Sequence, residues 1–401
     1  PSGEKSRYTP FYHGNPGEKA FFEEHRFPMP FVSFEWEGKN CIYAAALHSI
    51  PSYLPWGNLE DQWWSLGIST REKVSELTLF SGPCAINGKK STIKDKQQCT
   101  GKEGNYNNAY LNMPPGAVIE KTFFLQVYPV AQRGAGFQKP VYTSMDIFKP
   151  EQKELPCFSD VFSLKYYHAQ NDRWIENKHC AGYNQFPSDD PENRQYIVIG
   201  WVGQAAAPGY AVLALRDIVN DPRSIERAQR SLDHVCTADF AADGFYTWYD
   251  VHQGHWGTRI WKSNPELLSQ AQGMHSIADA IRLGRMQKMD VRSWETFLKN
   301  SADFHSRRIL SKNWNPESTN DAFFIAPLCQ AFQLLKSNQY KKAAVKAGHV
   351  YAQRHLDMQE VYWGGTLDAS CEDKEGAFAA LQGFLALYDL IGDEKYLHWA
   401  K

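Results

Sequence analysis

Apolar residues recur at every second position up to about residue 149, and at three- and four-residue intervals beyond it; Pro150 stands at the change. A period of two marks a half-buried strand, and a period near 3.6 marks a helix with a buried face. The chain is therefore expected to fold as a sheet-forming part followed by a helical part. In the first part, β-like runs at 31–36, 41–47, 62–68, 75–80 and 118–128 are separated by turn signals such as Asn87-Gly88 and Pro114-Pro115-Gly116. Several strands joined by hairpin turns predict a β-sandwich over 29–149. Residues 1–28 are polar and rich in Pro and Gly, and are expected to be loosely ordered.

Residues 150–178 read as a linker carrying a connecting helix at 160–175. Eight helices are then expected: 196–219, 224–236, 266–285, 291–310, 321–335, 339–355, 375–391 and 393–401. They alternate in character. One set is small and apolar all round, with Trp201, Met274, Phe324 and Phe384 as its bulky members. The other is amphipathic, with Lys and Arg on one face, clearest at 224–236 and 339–355. A helix apolar all round is buried and an amphipathic one faces water. The pattern predicts inner and outer helices paired as αα-hairpins over 179–401. Pro208 and Pro327 fall inside inner helices, where they kink the helix or mark its true start.

The net charge is -2 and the basic residues are scattered, which argues against nucleic acid and an anionic membrane surface as partners. The eight cysteines include no Cys-x-x-Cys pair, so no structural zinc is expected; Cys84 and Cys99, flanking a polar loop, are the one pair suited to a bridge. No transmembrane run or signal peptide is visible. The polar start without Met reads as a processed or trimmed end, compatible with export to a periplasm or medium, and leaves localisation open. No cofactor is expected. Aromatics make up 14% of the chain, which suits both a packed core and a grip on sugar rings.

The richest chemistry lies at 362–376. Tyr362 and Trp363 precede Gly364 and Gly365, and Asp368, Glu372, Asp373 and Glu375 follow, just before an apolar helix. Helix entry needs one capping acid, not four beside an aromatic pair. Aromatic faces stack on sugar C–H faces, and carboxylates move protons and stabilise an oxocarbenium-like transition state. The plainer reading, acids as first-turn and cap residues, fits Glu375 best.

A β-sandwich, a linker helix, then alternating inner and outer helices, with Gly200 to Gln204 opening the first inner helix and the 362–375 loop preceding the fourth, resemble the six-hairpin, or (α/α)6-barrel, glycosidase superfamily. The closest likeness is to members with an N-terminal β-supersandwich, such as glucoamylase-like hydrolases and inverting sugar phosphorylases. The resemblance implies an (α/α)6-type toroid and a carbohydrate substrate. A full toroid needs twelve helices, and about eight are counted, so it is expected to be incomplete at the C-terminus. The Trp-Glu-Glu setting of the glucoamylase general acid is absent from the sequence.

If the inner helices run in one direction, the loops entering them, at 183–190, 243–256, 314–321 and 362–375, gather at one mouth. Glu372 and Asp373 are then the first candidates for the catalytic carboxylates, with Asp250 a third. Trp248, Tyr249, His252, His255, Trp256, Trp314, Tyr362, Trp363 and Asp368 are the candidate sugar contacts. His252 and His255 have metal-ligand spacing but no third ligand, so no metal is expected. His275, among small residues, reads as a core histidine unless it points into the mouth. The leading expectation is an inverting glycoside hydrolase, with one carboxyl as acid and another as base toward water. Hydrolysis is preferred to phosphorolysis because no Gly-rich phosphate cradle is evident. The alternatives are a polysaccharide lyase using Tyr249 or a histidine, and a non-catalytic glycan-binding protein.

Overall fold

The computed structural model describes residues 15–24, 27, 29–51, 64–72, 74–82, 86–88, 90–91, 113–151, 153–200, 206–257, 266–316, 319–356 and 374–401. The chain divides into two compact units, Pro1–Glu154 and Leu155–Lys401. The first is rich in sheet and the second is mainly helical.

The first unit holds β1 (Lys19–Glu23), β2 (Phe31–Glu37), β3 (Ile42–Ser49), β4 (Trp64–Arg71), β5 (Val74–Ser81), β6 (Ile86–Gly88), β7 (Lys90–Ser91), β8 (Phe123–Val130) and one helix, α1 (Gln138–Phe148). The strands form an antiparallel five-stranded sheet, β5-β4-β1-β6-β7, and an antiparallel three-stranded sheet, β2-β3-β8. Phe22 and Ile68 of the larger sheet share a core cluster with Val32 and Phe34 of the smaller one. The opposite face of the smaller sheet carries Ala44, Ala46 and Tyr128, and small side chains there leave room for α1. Two interior bonds tie α1 down: His48 Nδ1 to Ser144 Oγ at 3.1 Å, and Gln126 Nε2 donating to Thr143 Oγ1 at 2.7 Å.

Two expectations change here. Residues 19–23 are not loose: Ala20, Phe21 and Phe22 are buried and β1 pairs with both β4 and β6. Its partners lie more than 40 positions away, which local composition does not reveal. Residues 138–148 are helical inside a segment read as strand-forming. Pro140 sits in the first turn of α1, where its missing N–H costs nothing.

The second unit opens with α2 (Phe158–Tyr167), which ends in one π turn at His168–Asp172. Short strands follow: β9 (Trp174–Glu176), β10 (Ala181–Tyr183) and β11 (Tyr196–Val198). Then come α3 (Ala206–Ala214), the single turn α4 (Arg216–Val219) and α5 (Pro222–Val235). A strand-rich excursion carries β12 (Phe240–Ala241), β13 (Gly244–Phe245), β14 (Trp248–Asp250) and β15 (His255–Trp256). After it come α6 (Leu267–Met286), α7 (Arg292–Leu310), a 3-10 turn (Thr319–Phe324), α8 (Ile325–Leu335), α9 (Asn338–Leu356), α10 (Lys374–Ile391) and α11 (Glu394–Ala400).

The helices make two rows. In the inner row α3 packs on α6, α6 on α8 and α8 on α10; in the outer row α5 packs on α7 and α7 on α9. Met274, Phe324 and Phe384 are buried in the core shared by both rows, and Trp201 lies outside the described residues. Pro208 and Pro327 fall in the first turns of α3 and α8, so they mark starts rather than kinks.

The 196–219 segment is not one helix. The β-branched run Ile197, Val198, Ile199 is fully buried as extended chain, and Gly200 then turns it with φ +76°. Strands also interrupt the helices at 240–256, because the aromatics there pair across hairpins: Tyr249 opposite Trp256 and Phe240 opposite Phe245. Trp399 in α11 packs edge-on against Phe384 at 5.6 Å and His349 at 5.1 Å. Among the described residues, no helix is long and apolar enough to cross a membrane.

Candidate active site

The inner helices bring their N-terminal halves to one pocket of about 280 Å³. Ala207 opens it from α3, Gln272, His275 and Ser276 from α6, Phe323 from the 3-10 turn before α8, and Phe378 and Gln382 from α10. The lining residues lie in the N-terminal halves of α3, α6 and α10, or just before α3 and α8. Small residues keep the space open: Gly200, Ala207, Ala271 and Ser276 line it without filling it.

Gly200 also sets the spacing of the pocket wall. A Cβ there would lie 2.4 Å from the Ser269 carbonyl oxygen, and its φ of +76° disfavours any L side chain. The chain entering α3 thus lies directly against the first turn of α6. That turn is capped by Glu266, whose carboxylate accepts from Leu268 and Ser269 N–H, each at 2.7 Å. Gly200→Ala is expected to destabilise the helical unit by about 1–3 kcal/mol. Urea unfolding followed by tryptophan fluorescence checks this; an unchanged midpoint would mean that the backbone contact is not tight.

His275 is the one titratable side chain among the described pocket-lining residues. Its Nε2 lies 3.5 Å from Asp279 Oδ2, one turn along α6, and 3.3 Å from Gln382 Nε2. Asp279 is fixed in turn by Gln330 Nε2, which donates to Oδ1 at 2.8 Å, and by Arg282 at 3.7 Å. Burial holds the imidazole below its usual pKa, with the Asp279 charge opposing. The Nε2 edge of His275 thus faces both the Gln382 amide and the Asp279 carboxylate, and its buried Nδ1 has no hydrogen-bond partner among the described residues. Such a group can take a proton and return it.

The sequence-derived site residues fall in three places. Glu372, Asp373, Tyr362, Trp363 and Asp368 lie outside the described residues; Glu372 and Asp373 directly precede Lys374, where α10 begins. Asp250 is buried at the end of β14, and its Oδ1 accepts the Gln253 N–H at 2.9 Å, closing the turn to β15. Trp248, Tyr249 and Trp256 are core residues, each less than a tenth exposed. His234 stacks on Trp256 at 5.4 Å and meets Tyr249 edge-on at 4.6 Å, and Trp256 Nε1 donates to Thr237. Rings enclosed in this way have no free face for a sugar, which corrects their reading as stacking platforms.

His252 and His255 lie in the same hairpin. His252 Nε2 bonds the Asn193 carbonyl at 3.0 Å, and His255 meets Gln253 Oε1 and the Trp256 carbonyl. Half-buried Trp314 donates to Asp321 Oδ2 at 3.2 Å; Asp321 also pairs with Arg308, and the three lock the loop into α8. Among the described residues, no cluster of three or more metal-ligating side chains occurs.

Gln272, Gln382, Phe323, Phe378 and Asp279 were not singled out from sequence. The available signal was polarity in the wrong place: Gln272 and Gln382 interrupt helices otherwise apolar all round. Such an amide either finds a partner in the core or faces a cavity, and the sequence does not say which.

No protein-family model matches the chain, and no curated protein matches it. Sixty-two solved chains match in structure. One is a family 76 glycoside hydrolase, an α-mannanase of Bacteroides thetaiotaomicron, at 15% identity and TM-score 0.43, covering 60% of this chain and 66% of that one. Another is cellobiose 2-epimerase from Spirochaeta thermophila, at 14% identity and TM-score 0.46, covering 60% and 66%. A family 76 glycoside hydrolase from a bovine Bacteroides thetaiotaomicron strain matches at 14% identity and TM-score 0.40, covering 85% and 74%. The chain thus spans just under two thirds of the length of the first two. These matches single out no family for the chain.

Proposed function

We propose that this chain is a carbohydrate-active enzyme, and specifically a glycoside hydrolase working in the inner-helix pocket. In this reading the two sheets of the first unit form a β-supersandwich and the helical rows belong to an (α/α) toroid. The observation that carries it is the convergence of three helix N-terminal halves and the 3-10 turn before α8 on one pocket, lined by Phe323, Phe378, Gln272, His275 and Gln382. The last of those helices, α10, directly follows Glu372 and Asp373. Aromatic edges with amides suit a neutral ring whose hydroxyls give and take hydrogen bonds. One of Glu372 and Asp373 protonates the glycosidic oxygen, and a second carboxylate draws a proton from the attacking water, giving inversion. Asp250, committed to its turn, is a weaker candidate than either.

One observation favours a second reading. Among the described lining residues, the titratable group facing the pocket is an imidazole rather than a carboxyl. His275 could lift the C2 proton of an open-chain reducing sugar and return it, which isomerises or epimerises the sugar without breaking a glycosidic bond. The lyase reading weakens, because Tyr249 is buried against the His234 and Trp256 rings and is not among the described residues lining the pocket.

Neutral oligosaccharides incubated with the chain in deuterated water separate the two. Hydrolysis raises reducing ends; isomerisation leaves them constant and exchanges the C2 hydrogen. For hydrolysis, Glu372→Gln or Asp373→Asn is expected to lower turnover about a hundredfold or more, and less for a substrate with an activated leaving group. For isomerisation, His275→Asn is expected to abolish exchange. Full hydrolysis by both amide variants would remove Glu372 and Asp373 from the mechanism. Neither product from any sugar would end the enzymatic reading and leave glycan binding.

A further inference from the structure

The outer row carries a second recess that the proposed site does not use. It holds about 840 Å³ between α5 and the first half of α7. Gln229 and Asp233, one turn apart, line one wall; Thr296 and Asn300, one turn apart, line the other; Phe240 stands at the margin.

Three features make this more than a groove between helices. Phe240 is 41% exposed, yet its ring is held edge-on by Phe245 at 5.9 Å and tilted against Phe297 at 6.2 Å. An exposed but immobilised aromatic offers a ready stacking face at little entropic cost. Asp233 has one oxygen occupied: Oδ1 accepts from the fully buried Trp294 Nε1 at 2.7 Å and from Ser293 Oγ at 3.5 Å. No cation pairs with it among the described residues; the nearby Arg292 is taken by Asp290 at 2.5 Å. Desolvation and the Asp290 charge push the Asp233 carboxyl up, so hydrogen-bond donors without bulk charge would relieve it. The Gln229 and Asn300 amides line the recess and have no protein hydrogen-bond partner among the described residues.

We infer that this cleft is a second carbohydrate-binding site, which holds a neutral glycan chain on the outer helices while the inner pocket handles one ring. Phe240 would stack on a sugar face, Asp233 would accept from hydroxyls, and Gln229 and Asn300 would bridge pairs of hydroxyls. Polar groups repeating every helical turn, about 5.4 Å, on facing walls suit an extended chain rather than a compact ligand. The inference rests on the carbohydrate reading of the chain but not on the chemistry of the inner pocket.

Affinity electrophoresis of the full chain in gels cast with soluble neutral polysaccharides (mannan, xylan and mixed-linkage glucan) tests it. The wild type is expected to be retarded by at least one of them. Phe240→Ala and Asn300→Ala are each expected to weaken retardation at least tenfold, with folding checked by circular dichroism; Asn300 is exposed, so its variant tests the cleft without touching the core. His275→Asn should leave retardation unchanged. Turnover is measured on the same preparations. Retardation without turnover counts against the pocket reading alone, and turnover without retardation counts against the cleft alone. Cleft variants retarded like the wild type would overturn the inference. Retardation abolished by salt would do the same, pointing instead to a cationic partner drawn to Asp233 and Asp290.

Discussion

Lys121→Met is expected to destabilise the sheet-rich unit by about 3–5 kcal/mol. The Lys121 ammonium lies 2.7 Å from Glu24 Oε2, with the two side chains 6% and 0% exposed. The same carboxylate oxygen accepts from Ser49 Oγ at 2.6 Å, and Lys121 also donates to the Ile50 carbonyl at 2.6 Å. Its ammonium rests 5.2 Å from the Trp64 ring centre. Burial pulls the Lys121 pKa down, and the hydrogen bond and charge of Glu24 oppose that shift. Removing the lysine leaves a buried carboxylate with one hydroxyl partner among the described residues, and that orphaned charge is the source of the loss. Lys121→Met with Glu24→Leu should recover most of it, because an apolar pair needs no counter-ion. The two units need not unfold together, so hydrogen exchange at β1 and β3 amides is the proper measurement. Equal losses in the single and double variants would show that packing, not charge, is at stake.

The same unit shows what a sequence reveals. β2, β3 and β5 were legible within a residue or two, because a period of two and flanking turn residues agree there. β1 was not, since its evidence is the pairing of Phe21 with Gly67 and Ile86, which exists only once the sheet forms. In the helical unit, α6 and α8 are buried as their small apolar residues predict, whereas α10, read the same way, leaves Phe378, Leu381 and Leu385 exposed. The pocket was not legible. A glutamine on an apolar helix and a tryptophan in a hairpin each admit a core reading and a ligand reading. Three-dimensional placement decides between them: Gln272 and Gln382 face a cavity, while Trp248 and Trp256, read as sugar contacts, are buried.

That core makes the helical unit sensitive to acid. Lowering the pH from 7 to 4 is expected to cost about 3 kcal/mol through His234 alone. Its imidazole is enclosed by Trp256 and Tyr249, and burial drops its pKa from 6.5 to about 4. Between those values the unfolded chain binds a proton at this position and the folded chain does not. Stability therefore rises with pH across the window and is lost as pH falls through it. His305 acts in the same direction: it is fully buried against Phe324, and burial and the Arg308 charge hold its pKa well below the usual value. His275 and His349 are lowered by burial as well. Asp290, held at about 2 by Arg292, loses its contribution only below the ordinary carboxylate range, so its effect separates from the histidines by pH. Asp233 works the other way, because a carboxyl raised by burial gains relative stability on protonation. Urea midpoints read by tryptophan fluorescence at half-unit steps from pH 7 to 4 should fall steadily. His234→Phe keeps the ring stack and has no proton to bind, so its profile should be flatter by about that amount. A variant profile parallel to the wild type would place the acid sensitivity on other groups.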